Sequence, residues 1–199
     1  MISVLKKYLQ SARNSIVAQR SVIENYKGCI LGLADNIQDL STSCSWAQNH
    51  GMILIVFPSF FYAQKFVQAT PDIMQYDWQH GVDISTLSIQ RLPASFKNII
   101  FEMTVIDSVK IDQFKDVFLP KLSIGLPDSQ KIICLSQTDD IKPLRGGWTA
   151  NFIIVNQWDS TDLFLEWFNS KEQKEARSEA GANNFISTIL LELKNIISC

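Results

Sequence analysis

GGWTANFIIVNQWDSTDLFLEWFNSKEQKEAR, residues 146–177, decides how the rest of the chain is read. A Gly146-Gly147 turn opens it. Phe152 to Val155 form an apolar run too short and too rich in branched residues for a helix, and Trp158 closes that run. Asp159-Ser160-Thr161 then supplies side-chain oxygens suited to a helix start. Leu163, Phe164, Trp167 and Phe168 recur at three- and four-residue spacing, with Asp162, Glu166 and Lys171 off that face. The stretch predicts a strand, a tight connection and an amphipathic helix laid on a sheet.

An earlier copy stands at residues 45–68, SWAQNHGMILIVFPSFFYAQKFVQ. Trp46 matches Trp148, Phe57 matches Trp158, Ser59 matches Ser160 and Phe66 matches Trp167. The echo extends both ways. Asp35-Asn36-Ile37 with Leu40 answers Asp139-Asp140-Ile141 with Leu144, and Ile84-Ser85-Thr86-Leu87 answers Ile186-Ser187-Thr188-Ile189. An offset of roughly a hundred residues held over that span is the signature of a duplicated unit.

Pro93-Ala94-Ser95 is the best boundary, which divides the chain into repeats 1–95 and 96–199. After it come a strand at 98–105 and a helix capped by Asp107-Ser108 and kinked by Pro120. A strand at 131–136, the signature stretch and a last strand at 185–193 follow. Strand, helix, strand, strand, helix, strand is the order of the split βαβ, ferredoxin-like unit. The first half repeats that order with its opening strand missing. Residues 2–24 read as one helix with Leu5, Tyr8, Leu9, Ala12 and Ile16 on a face. Strands at 29–33, 52–57 and 84–92 follow, with a helix at 59–68 and a polar loop from Asp35 to Gln48. The expected fold class is α+β, two tandem ferredoxin-like units, the first truncated at its start.

Composition bounds the function. With 46% apolar and 19% charged residues the chain belongs with ordinary globular proteins rather than disordered ones. A formal net charge of -2 argues against a general nucleic-acid surface. Cys29, Cys44, Cys134 and Cys199 lack zinc-type spacing, and Cys29 and Cys134 read as buried thiols in apolar strands. The apolar stretch around Met52 to Phe57 stops at Pro58, too short to span a bilayer, and the start lacks a signal peptide. No phosphate loop, nucleophile elbow or metal motif is present. The expectation is a cytoplasmic protein without metal or cofactor, and without nucleic-acid or membrane partners.

A strand ending in an aromatic and running into QWDSTDLFLEWFNSKE resembles the dimeric α+β barrel superfamily, in particular the antibiotic-biosynthesis-monooxygenase-like proteins. Trp158, Asp159, Ser160, Phe164 and Ser170 carry the likeness, over residues 97–195 as a full unit and 2–92 more weakly. The resemblance implies two sheets paired face to face, as a pseudo-dimer within one chain and in a homodimer besides. It also implies a pocket between sheet and helices. Members that oxidise aromatic polyketides without metal or flavin hold the substrate with an Asn shortly before the strand-end Trp. Here Ile154 and Ile53 stand there, and Asn169 and Gln68 replace a His found downstream in many members. Other branches perform cyclisations, isomerisations or haem chemistry.

Candidate chemistry is sparse. His50 and His80 are the two histidines. His50, at the entrance to an apolar strand, reads either as a pocket-facing acid-base group or as a surface loop residue. His80, before Gly81, suits a helix C-terminus. Asn151 and Asn156 flank the second repeat's strand, where they can orient a carbonyl. His50 and Asn151 are therefore the catalytic candidates. Trp46, Trp148, Trp158, Phe164, Trp167 and Phe168 either line a cavity for a flat apolar ligand or form core. Asp35, Asp139 and Asp140 fit turn hydrogen bonding as well as catalysis, and Glu102 and Glu192 fit solvent faces.

Two functions are carried forward. The first is a cofactor-independent enzyme of secondary metabolism acting on a hydrophobic small molecule. It works by a shape-selective apolar pocket, through cyclisation, isomerisation or monooxygenase-like oxidation. The second is a non-catalytic ligand-binding or structural barrel filled by its own aromatics.

Overall fold

The computed structural model describes residues 1–40, 49–70, 82–88, 99–106, 112, 114–122, 131–137, 140–146, 150–179 and 186–194. Among them the chain is a mixed α+β protein with two antiparallel sheets. The first sheet takes β2 (Cys29–Ala34), β4 (His50–Val56), β1 (Ile2–Leu5), β5 (Val82–Thr86) and β8 (Lys142–Arg145), in that spatial order. The second takes β3 (Ile37–Asp39), β10 (Ile186–Leu193), β6 (Ile99–Ile106), β9 (Phe152–Trp158) and β7 (Lys131–Gln137). With the outer strands β8 and β3 set aside, the orders β2-β4-β1-β5 and β7-β9-β6-β10 are one arrangement, reached through the same sequence of connections.

Helices fill the connections in both halves. α1 (Leu9–Ala18) and α2 (Arg20–Asn25) join β1 to β2, and α3 (Phe60–Ala69) lies between β4 and β5. Between β6 and β7 a π-helical turn, Phe114–Phe118, runs into α4 (Leu119–Leu122). Pro120, which has no N–H to donate, sits just after that widened turn. α5 (Thr161–Phe168) and α6 (Lys171–Glu179) separate β9 from β10.

The expectation of a helix from residue 2, and of a missing opening strand, is corrected here. Ile2, Ser3 and Val4 are buried in the middle of the first sheet, paired with β4 on one side and β5 on the other. The apolar helical face starts later, with Leu9, Ala12 and Ile16. Two further short strands went unread. β3 falls inside the expected polar loop and pairs with β10, and β8 precedes the signature stretch and pairs with β5. Each is lent to the sheet built mainly from the other half. Cys29, expected to be a free thiol, is half-buried at the start of β2 and disulfide-bonded.

Among the described residues, three apolar layers hold this together. Between the sheets lie Leu31, Ala34 and Met52 from the first and Ile153, Val155, Ile189 and Leu191 from the second. Outside the first sheet, Val4, Ile53 and Ile84 pack on Leu9, Ile16, Ile23 and Phe66 of its helices. Outside the second, Trp158 and Leu190 pack on Phe164 and Trp167. β9 is buried on both faces, which explains its unbroken apolar run.

The two sheets touch at a seam where Leu33 and Lys194 exchange backbone hydrogen bonds of 2.9 and 2.8 Å. Gly32 permits that approach, because a Cβ there would stand 2.8 Å from the Lys194 carbonyl oxygen and 3.3 Å from Leu193 Cβ. Neither atom belongs to a flexible side-chain end. Gly32→Ala is expected to cost about 1–3 kcal/mol of stability by overpacking. Urea unfolding measures this, and an unchanged midpoint would mean that the seam is loose.

Candidate functional site

The site lies beside Met1, next to β1. β6 has eight residues and β1 four. β6 pairs as far as Ile100 with Trp158 and Ile99 with Leu193. β1 pairs Ile2 with Ile53 and Ile84, while β4 continues through Leu54, Ile55 and Val56. Met103 stands opposite Val155, and Met1 is one step beyond the Ile2–Ile53 pair, beside Leu54. A cavity of about 340 Å³, a notch between β4 and β5, lies beside Met1.

The walls are apolar: Met1, Leu31, Leu54, Val56, Phe57 and Leu87 line it from both sides of the sheet. At its mouth α3 begins, with Pro58 and Phe60 on the lining. Phe60 is 36% and its neighbour Phe61 57% exposed. Lysine ammonium groups cover both rings, Lys142 Nζ 4.7 Å from the Phe60 centroid and Lys65 Nζ 5.6 Å from that of Phe61.

Polar groups inside are few. Ser85 is 1% exposed, and its buried hydroxyl oxygen has no hydrogen-bond partner among the described residues. The Met1 amino group donates to the Ser85 carbonyl oxygen at 3.0 Å. Burial disfavours the charged amine and lowers its pKa from 8.0 to about 6. Thr86 Oγ1 is engaged with the Lys142 carbonyl oxygen at 3.2 Å. The arrangement offers an oily slot with the Met1 amine at its edge and the Ser85 hydroxyl sealed behind its lining.

The candidates named from sequence lie elsewhere. His50 is the first residue of β4, paired with Leu5, and six residues from Val56, roughly 20 Å along a strand. Asn151 is half-buried just before β9. Neither lines the cavity. Trp46, Trp148, His80 and Asp139 are outside the described residues.

Trp158, Phe164, Trp167 and Phe168 do come together, against one another. Trp158 lies 5.1 Å from Trp167 and 5.3 Å from Phe164, and Phe164 is 5.3 Å from Phe168. The Arg177 guanidinium covers Phe168 at 3.7 Å. Ser160 caps the helix as expected, its hydroxyl accepting from Leu163 N at 3.2 Å. In the first half, Phe57 and Phe66 make the matching contact at 5.4 Å, but Phe57 also faces the cavity.

The remaining carboxylates have ordinary roles. Asp35 pairs with Lys194 at 2.8 Å, and the hydrogen bond from that ammonium holds its carboxyl below the usual range. Asp140 is exposed at the cavity rim and Glu192 is exposed on β10. The side chain of Glu102 is outside those described.

Ser85, Leu54 and Leu87 were not singled out from sequence. No local pattern marks them as cavity residues, because the cavity depends on where β1, β4 and β5 come together. Among the described residues, no group of three His, Cys, Asp or Glu is placed to hold a metal ion, and no helix is long and apolar enough to cross a membrane. Compared with known proteins, the chain matches no family model, no curated protein and no solved structure.

Proposed function

We propose that the chain is a doubled ferredoxin-like unit, residues 1–95 and 96–199, whose sheets close face to face as in dimeric α+β barrels. We propose further that it binds a hydrophobic small molecule in the first-half cavity. The shared strand orders and the exchange of β3 and β8 support the first part. The cavity carries the second: at about 340 Å³ it falls in the range of small-ligand sites, and its walls are apolar with few polar groups. Binding ranks ahead of His-based catalysis because His50 and Asn151 lie off the lining.

Cofactor-independent turnover of that ligand, as a cyclisation, isomerisation or monooxygenase-like oxidation in secondary metabolism, is the second reading. The Met1 amine on the cavity lining favours it, since a donor there can stabilise a developing enol or carbonyl charge. The disulfide at Cys29 suits an oxidising compartment in place of the cytoplasm expected from composition.

The test uses N-phenyl-1-naphthylamine, a neutral dye that brightens in apolar surroundings. The wild-type chain is expected to bind it saturably at one site. Leu54→Trp, which fills the notch, is expected to weaken binding at least about tenfold, the loss of most of a ligand's apolar contact, with little change in melting temperature. Equal binding by Leu54→Trp would remove the cavity from the proposal.

A further inference from the structure

The start of α3 carries a surface feature that the cavity does not explain. Pro58, Ser59, Phe60 and Phe61 are all exposed there, and Phe61 is more open than any other large apolar side chain among the described residues. Three elements bring a lysine to these rings. Lys142 of β8 stands over Phe60, and Lys65 of α3 stands over Phe61. Lys27, in the turn after α2, lies over Tyr62 with its Nζ 5.5 Å from the ring centroid. The Phe61 and Tyr62 rings meet edge to face at 5.8 Å. Three consecutive aromatic residues therefore each hold an ammonium group close by.

Charge gives this patch a sign. Among the described residues none of the three lysines makes an ion pair. No Asp or Glu occurs in sequence between Asp39 and Asp72. Glu24, near Lys27 in sequence, is engaged with Arg20 at 2.7 Å. Asp140, two residues before Lys142 and exposed, offsets one of the three charges. A chain of net charge -2 thus concentrates positive charge where it exposes phenylalanine. A lysine ammonium is a hydrated point charge on a flexible stem, suited to many mobile phosphates rather than to one fixed carboxylate. Phenylalanine rings offer hydrocarbon only, which acyl chains cover without a matching groove. A bilayer of anionic lipid meets both needs, with headgroups for the basic side chains and an acyl boundary for the rings.

We infer that the start of α3 docks on the surface of a membrane bearing anionic lipids. Phe60 and Phe61 enter the boundary between headgroups and acyl chains, and Lys27, Lys65 and Lys142 face lipid phosphates. Lying on a membrane needs no spanning helix, so the lack of one among the described residues does not oppose it. Docking takes the place of the expectation of no membrane partner, which followed from the shortness of the apolar segments. It does not depend on a ligand in the cavity.

The experiment measures co-sedimentation of the intact chain with vesicles of phosphatidylcholine and with vesicles of equal parts phosphatidylcholine and phosphatidylserine. The mixed vesicles are expected to bind it at least about tenfold tighter than phosphatidylcholine alone. Lys65→Gln is expected to weaken that binding about fivefold, the worth of one lysine near an anionic surface. Phe61→Ser is expected to weaken it at least about tenfold, through lost apolar burial. Both side chains are exposed and off the cavity lining, so folding and dye binding should be unchanged. Lys171→Gln, at an exposed lysine of α6, is the control and should bind as the wild type does. Equal binding to both vesicles, binding to neither, or equal losses for Lys65→Gln and Lys171→Gln would overturn the docking site. Self-association that Phe61→Ser abolishes, without vesicle binding, would overturn it too and give the patch to a second copy of the chain.

Discussion

Trp158→Ala is expected to lower the unfolding free energy by about 3–5 kcal/mol, the range for removing a large aromatic from a packed core. Trp158 is 2% exposed and closes the gap between β9 and α5, in ring contact with Phe164 and Trp167. Truncation leaves a hole that neither neighbour fills without leaving its own packing. Against a typical total of about 5–15 kcal/mol, that is a large share of the fold's stability. Dye binding in the first-half cavity should survive in the folded fraction, because Trp158 does not touch it. Urea unfolding read beside dye titration separates the two effects. A stability loss under about 1 kcal/mol would mean that the aromatic cluster is not a closed core.

A free Met1 amine makes stability depend on pH in a window where few other groups titrate. Its folded pKa of about 6 lies below the ordinary 8.0, so the unfolded chain binds the proton more tightly. Stability therefore rises with pH across that window. The amine's penalty is absent above 8.0 and complete below about 6. A displacement of that size corresponds to about 2–3 kcal/mol. The measurement is the urea midpoint at either end of the window, for the free chain and for one acetylated at Met1. Only the free chain should show the rise. Parallel curves would place the amine in water.

The second half was the more legible. An apolar run with a Ser cap and aromatics at helical spacing specifies strand and helix locally, and both formed. The short strands escaped for physical reasons. Ile2, Ser3 and Val4 merge in sequence with the helix that follows, and only their burial between two neighbours makes them a strand. β3 and β8 are three and four residues long, and both carry polar side chains. Their partners lie in the opposite half, so no local pattern announces them. The aromatic set was open between cavity and core, since spacing places rings on a face without saying what they meet. The cavity depends on residues distant in sequence, Met1, Leu54 and Leu87 among them, and no local pattern joins them.

The exchanged strands constrain how the proposed ligand would reach that cavity. Swinging the two sheets apart would peel β3 from β10 and β8 from β5, breaking backbone ladders on two sides at once. They act as crosswise ties, and hinge opening is the costly route. Admission would fall instead to the side chains at the start of α3, where Pro58, Phe60 and the covering Lys142 line the cavity and can move without unpairing a strand.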